Sequence, residues 1–389
     1  MSSTAVAEPP AQDLRGELTR IRVCARARWG SELIDLARSE PLCAWPPDGK
    51  LTGEGSPHTR HYPPVAGLDP VREELAGYYG QMLGIPLTRQ NVFVTTGAVS
   101  GLMLALSTFC EPGDEVLIPS PYFQMNPAQA RLAGVVPRFV DTRDHGWRLG
   151  PELLARRVSA RTRALLLTNP VNPTTTAYGA PEVTAMIAAL PPGTAIIADE
   201  VYAEYVYPDA EFASIAALAR QAGVAEWVVL RSASKTIGRP GLRVGAAIGP
   251  EQVVAAITDR AAVLTGAASA TSQLAFCAGL RAAAGAGYMR PYSLRRSAAL
   301  AAARRVGLAV AQPEGTYYLW VGQPDHRGEQ GRQAIGTAPT AGALAEQRGV
   351  LAWPGSVFGE PGWLRLSLTA SADAITEGLI RIAEFARAS

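Results

Sequence analysis

Ser232-Ala233-Ser234-Lys235-Thr236-Ile237-Gly238-Arg239-Pro240-Gly241-Leu242-Arg243-Val244-Gly245 is the stretch on which the reading of this chain turns. Lys235 stands among small hydroxyl residues, and Arg243 follows eight positions later in a Pro-Gly-Leu-Arg-Val-Gly run. An amine in such a place can condense with an aldehyde. A planar, always-charged guanidinium nearby, with a serine hydroxyl beside it, can hold a dianionic phosphate. Serine and lysine are common residues, so the weight of the reading comes from what lies upstream.

Two upstream segments supply it. Asn169-Pro170-Val171-Asn172-Pro173-Thr174 is a proline-rich turn that can carry a cis peptide. Asp199-Glu200-Val201-Tyr202 closes the hydrophobic run Ala195 to Ala198. A carboxylate at the end of such a run is costly unless a cation meets it. Together with the lysine segment, these stretches resemble the aspartate aminotransferase family, the fold-type I enzymes that use pyridoxal 5′-phosphate (PLP). The resemblance runs from about Ser39 to about Arg365. It implies an α/β chain of the PLP-dependent transferase fold type I. A large domain with a mostly parallel seven-stranded sheet between helices would join a smaller α+β domain.

The hydrophobic pattern agrees. Val92 to Thr95, Glu115 to Pro119, Val136 to Val140, Ala164 to Thr168, Ala195 to Ala198, Trp227 to Arg231 and Val244 to Ile248 read as buried strands. Helical patterns at 98–109, 181–190 and 213–222 lie between them. Such alternation argues for a parallel sheet covered on both faces. Residues 250–303 read as helices, Thr316 to Val321 and Leu364 to Leu368 as strands, and 338–348 and 371–387 as helices. The expected division is a loose tail over 1–12, an N-terminal segment 13–55, a large domain 56–290 and a C-terminal small domain 291–389. That 13–55 returns to the small domain is taken from the resemblance.

Bulk properties exclude several other classes. A charged fraction of 18% and a hydrophobic fraction of 48% are those of an ordinary soluble protein with a sizeable core. A net charge of +2 with no basic block gives no sign of nucleic acid. No apolar run is long and clean enough to span a membrane. Cys24, Cys43, Cys110 and Cys277 have no paired spacing, which argues against a disulfide framework or a metal site. The first dozen residues lack the charged start and apolar core of a signal peptide, so a cytoplasmic protein is expected. No G-x-G-x-x-G follows the first strand, and no P-loop is present. No helix-turn-helix precedes the core, which disfavours a DNA-binding regulator.

Candidate site residues follow. Thr96-Gly97-Ala98-Val99 leads from a strand into a helix, whose free amides suit an anion. The resemblance implies that Ala98, Val99, Ser232 and Arg243 hold the cofactor phosphate, with Tyr62 reaching it from the neighbouring subunit of a homodimer. It implies that Asp199 pairs with the pyridine nitrogen and that Asn172 and Tyr202 bind the cofactor's phenolic oxygen. Phe123 would stack on the ring, with Tyr122 in its place if the register differs by one. Arg365, in the apolar segment Trp363-Leu364-Arg365-Leu366-Ser367, wants a bidentate acceptor. The resemblance gives it the substrate carboxylate, with Asn172 and Ser39 nearby.

The chain departs from the family pattern at Thr175-Thr176, at Ser39 and at Asn126, all toward the substrate side. The leading expectation is an aminotransferase moving an amino group between an L-amino acid and a 2-oxo acid. In it Lys235 is the Schiff-base lysine and proton shuttle, assisted by Asp199 and Tyr202. The same site could instead serve β- or γ-elimination, replacement or cyclisation, as in cyclopropane-forming synthases acting on S-adenosylmethionine.

Overall fold

The structure is a computed structural model and describes residues 14–37, 61–283, 287–323 and 334–388. The tail expected over 1–12 and Ser39 lie outside those residues. The chain begins with α1 (Leu14–Trp29), β1 (Ile34–Asp35) and α2 (Asp69–Leu83). Strand and helix then alternate. They run β2 (Val92–Thr95), α3 (Ala98–Phe109), β3 (Glu115–Ser120), α4 (Asn126–Leu132), β4 (Val136–Asp141), α5 (Pro151–Ala155) and β5 (Thr162–Thr168). Next come α6 (Ala180–Ala188), β6 (Ala195–Asp199), α7 (Ile215–Gln221), β7 (Trp227–Ser232), the single turn α8 (Ala233–Thr236) and β8 (Gly245–Ile248). Helices α9 (Glu251–Leu264), α10 (Ala270–Ala283) and α11 (Arg290–Val306) follow. The remainder is β9 (Ala309–Val310), β10 (Tyr318–Gly322), α12 (Ala338–Arg348), β11 (Val350–Leu351), β12 (Trp353–Pro354), β13 (Trp363–Ser367) and α13 (Ala372–Ala388).

Strands β2 to β8 form one seven-stranded sheet in the order β2-β8-β7-β6-β5-β3-β4, with β8 alone antiparallel to its neighbours. The runs lack polar alternation because both faces are covered. On β5, Leu165 and Leu167 face one helical layer with Val71 and Leu75 of α2 and Phe276 of α10. Leu166 faces the other, with Leu102 of α3 and Ile257 of α9. This period of two follows from strand geometry. One expectation needs correction. β4 is not a buried strand: it is the outer strand, paired only with β3, and Val136 and Arg138 are exposed.

A second sheet of four antiparallel strands, β12-β13-β10-β9, carries the C-terminal lobe. Its Leu319, Val321, Leu364 and Leu366 pack with Ile375, Leu379 and Ile382 of α13, which recur at helical spacing. The expected strand from Thr316 starts two residues later, at Tyr318, because Thr316 has φ 64 and cannot lie in a strand. The N-terminal segment reaches this lobe: Ile34 pairs with Val350 and Asp35 with Leu351 in a parallel bridge. Helix α1 was not legible as a helix beforehand.

Candidate active site

The carboxyl ends of the parallel strands converge, which is where an open α/β sheet offers its crevice. β2 delivers Gly97 and the start of α3. β3 leads to Phe123, β5 to Asn172, β6 ends at Asp199, and β7 ends at Ser232 with Lys235 on the following turn. A cavity of about 650 Å³ lies over them. Its walls include Ala98, Val99, Phe123, Asn172, Asp199, Tyr202, Ser232, Lys235, Arg243 and Arg365.

One end is built for an anion. Gly97 caps α3 with φ 100 and no side-chain hydrogen bond, so the first amides of the helix are left for another acceptor. Ser232 and Ser234 line the same end, and Ser232 Oγ accepts from the Ser234 amide at 3.3 Å. Arg243 takes a left-handed φ of 50 and donates to the Pro240 carbonyl at 3.0 Å, which bends its guanidinium back toward Gly97.

Another part of the lining suits a cation. Asp199 borders the cavity and accepts the Val201 amide at 3.3 Å. Burial pushes its carboxyl up from 3.8 to about 6, against that hydrogen bond and the Lys235 and Arg231 charges. An ionised acid here gains from a cation in the cavity, and a protonated pyridine is a cation of suitable shape. Phe123 supplies an apolar ring to the same lining. Tyr122 is absent from that lining: it is buried and stacks on Phe139 at 4.9 Å, which favours Phe123 of the two.

Lys235 lines the same cavity. Its Nζ donates to Tyr317 Oη at 2.9 Å and lies 5.3 Å from the Tyr202 ring. Tyr202 and Tyr318 share a hydrogen bond of 3.0 Å. Burial raises the Tyr202 phenol, reinforced by Tyr318. Burial also pushes Tyr318 up, but the Lys235 and Arg365 cations and hydrogen bonds from Tyr202 and Tyr317 outweigh it and bring Tyr318 from 10.0 down to about 8.

Arg365 is 2% exposed on β13 and donates to Asn172 Oδ1 at 2.8 Å. Its guanidinium lies 4.1 Å from the Tyr318 ring centre and 5.3 Å from that of Trp353. The aromatic shelf leaves it facing the cavity, as a carboxylate fork requires.

The structure brings ten of the expected residues to one cavity. Tyr62 is fully exposed and does not line the cavity of its own chain. Tyr317, Tyr318, Trp353, Gln124 and Arg22 escaped the sequence reading. The Tyr317-Tyr318 pair lies within the stretch read only as the strand Thr316 to Val321. Arg22 lies far away in sequence, so only the docking of α1 brings it to the cavity.

The donor set fits a phosphate-bearing pyridine aldehyde, with an anion cradle, an amine and a carboxyl in the lining of one cavity. Comparison with solved structures gives the class. Aspartate aminotransferase from Thermotoga maritima superposes with a TM-score of 0.82 at 27% identity, covering 99% of each chain. The one from Rhizobium meliloti gives 0.84 at 25%, covering 100% of this chain and 99% of that one. The fold is that of the PLP-dependent transferases of fold type I. The family described as aminotransferase class I and II matches residues 32–382, and the chain belongs to it. Among curated relatives, aspartate aminotransferase of Geobacillus stearothermophilus is 30% identical over 372 residues, covering 92% of each. A probable aspartate/prephenate aminotransferase of Thermus aquaticus is 29% identical, covering 94% of this chain and 95% of its own. The reaction class is amino-group transfer, and nothing in these comparisons favours elimination or cyclisation.

Proposed function

We propose that the chain is a homodimeric cytoplasmic aminotransferase that binds PLP through Lys235 and exchanges an amino group between an L-amino acid and a 2-oxo acid. The observation that supports this reading is that Ala98, Val99, Arg243, Lys235, Asp199 and Arg365 line one cavity. The phosphate is assigned to the Ala98 and Val99 amides, Ser232, Arg243 and Tyr62 of the partner subunit. Asp199 takes the ring nitrogen, Phe123 the ring face, and Asn172 and Tyr202 the phenolic oxygen. Bound there, the cofactor supplies an electron sink for the pair left when the substrate α-proton departs. Arg365 and Asn172 orient the α-carboxylate, and Ser39 is assigned to the same side. Lys235 would take the α-proton on Nζ and return it to the carbon on the far side of the amino nitrogen, two bonds away.

Helix α1 brings Arg22 to the cavity mouth, where it meets Asp35 only loosely at 3.7 Å. The aspartate names of the relatives suit a side-chain carboxylate at that position. In this reading 13–55 belongs with 291–389 in a small lobe, the large lobe spans 56–290, and the cavity lies at their junction. Borohydride reduction of the PLP-loaded protein followed by peptide mapping tests the reading. The pyridoxyl label is expected on Lys235, and a label elsewhere overturns it.

A further inference from the structure

Tyr317 has no part in the site as assigned above, yet it touches its central residue. Tyr317 is 0% exposed, and Lys235 Nζ donates to its phenol at 2.9 Å. A buried hydroxyl is costly unless it is hydrogen-bonded, and a phenylalanine would fill the same space without that cost. The hydroxyl donates to Tyr318 and accepts from Lys235, and the contact with the amine needs an explanation beyond packing.

The surrounding structure holds that hydroxyl in place. Successive strand residues point to opposite faces, so two neighbouring tyrosines should part company. Here both rings enter one cluster, with centres 4.8 Å apart. The device is Thr316, a buried β-branched residue at φ 64, a backbone conformation such residues avoid. Its amide donates to the Tyr205 carbonyl at 2.6 Å, and its Oγ1 accepts the Tyr318 amide at 3.1 Å. Tyr205 in turn donates its phenol to the Lys235 carbonyl at 2.8 Å. Lys235 is thus gripped at its backbone by Tyr205 and at its amine by Tyr317, whose rings lie 5.1 Å apart. Tyr292 stacks on Tyr317 from α11, with ring centres at 5.5 Å. Among the described residues, titratable groups around Lys235 are Tyr317 itself, Tyr205, Asp199 from β6, Tyr202 after it and Tyr318 on β10, on which Arg365 of β13 also acts.

We infer that Tyr317 is a positioning residue for the Lys235 amine: its oxygen holds Nζ whenever that nitrogen is not covalently engaged. This rests on Lys235 being the reacting amine. A neutral amine has two N–H bonds and one lone pair. One N–H given to Tyr317 fixes the nitrogen and leaves the lone pair for the substrate α-proton. The C–H electron pair stays on the substrate side, and the ammonium so formed later returns the proton. The hydrogen bond to Tyr317 survives in both protonation states, so the nitrogen keeps its place between the two transfers.

The test is Tyr317→Phe in the full, PLP-loaded chain, with Lys235→Ala beside it. The half-reaction with a saturating amino donor is expected to slow between about 10- and 100-fold with KM little changed. The isotope effect from an α-deuterated donor is expected to rise. A third readout needs no turnover. In cofactor-free protein, competitive acetylation of the Lys235 peptide, followed by mass spectrometry against pH, is expected to show a lower midpoint in the variant, because an acceptor of the ammonium has gone. An unchanged isotope effect with an unchanged midpoint overturns the inference, even if the rate falls, since that is the signature of packing alone. Turnover surviving in Lys235→Ala instead overturns the function proposed for Lys235, and this inference with it.

Discussion

Arg365 Nη1 donates to Asn172 Oδ1 at 2.8 Å, joining β13 of the small lobe to the turn that follows β5 of the large sheet. Both side chains are buried at the cavity wall. An amide that accepts with its oxygen turns its Nδ2 donor the other way, so one residue faces the guanidinium and still offers a donor elsewhere. The group proposed to grip the substrate carboxylate is therefore oriented by a group proposed to touch the cofactor.

Arg365→Lys tests the grip. Lysine keeps the charge but loses the planar fork, so it cannot serve Asn172 and both oxygens of a carboxylate together. A charge-assisted hydrogen bond is worth about 1.5 to 3 kcal/mol. A fall in kcat/KM of roughly 10- to 100-fold is expected, seen mainly in KM for the amino donor. Steady-state kinetics with donor and acceptor varied in turn checks this. An unaltered KM would place the carboxylate elsewhere.

Asp199 predicts how cofactor stabilisation depends on pH. Its carboxyl lies at about 6 in the folded chain against 3.8 ordinarily, because of burial. The folded chain therefore holds an extra proton between those values, and its stability falls as pH rises through that window. Above it the ionised acid is a liability until a cation arrives. Pyridoxamine 5′-phosphate, which forms no imine with lysine, should thus raise the melting temperature more at about pH 8 than at about pH 5. Asp199→Asn should lose that excess. Glu200, which burial pushes up from 4.5 to about 7 with a smaller push from Asp199, is present in both proteins, and its shift falls in the variant.

Tyr318 carries a spectroscopic prediction. Burial raises its phenol, but Lys235 and Arg365 hold it down at about 8, while Tyr202 and Tyr317 are raised. A near-ultraviolet titration of cofactor-free protein should show one phenolate forming near pH 8, ahead of its neighbours. The step should vanish in Tyr318→Phe and move upward in Lys235→Ala. A folded value below the unfolded one adds stability as pH climbs from about 8 toward 10.

The sheet was legible because its strands are short apolar runs of fixed length, and burial on both faces removes any competing helical period. Helix α3 was read over its full span, 98–109, because a glycine turn precedes it. Chemistry-bearing residues were legible where they cluster in sequence, as around Lys235 and Asn172. What stayed hidden depends on long-range contact. Strand order, the exposure of β4 and the arrival of Arg22 are set by packing between distant segments. Tyr317 was hidden for a different reason: the backbone of Thr316, not the strand period, decides where it points.

Gly97 gives the last prediction. It has φ 100 and lies against the proposed phosphate end, and a Cβ there would stand 3.1 Å from Arg243 Nη2. Gly97→Ala therefore combines backbone strain with displacement of the guanidinium. A non-glycine residue in such a conformation costs about 1 to 3 kcal/mol. PLP affinity should fall about tenfold or more, because both the helix amides and Arg243 shift from their common target. Gly241→Ala is the control: it lies in the same loop as Arg243, and a Cβ there meets nothing within 4 Å. Absorbance titration of cofactor-free protein with PLP should separate the two variants. Equal affinity in both would remove the α3 start and Arg243 from the phosphate site.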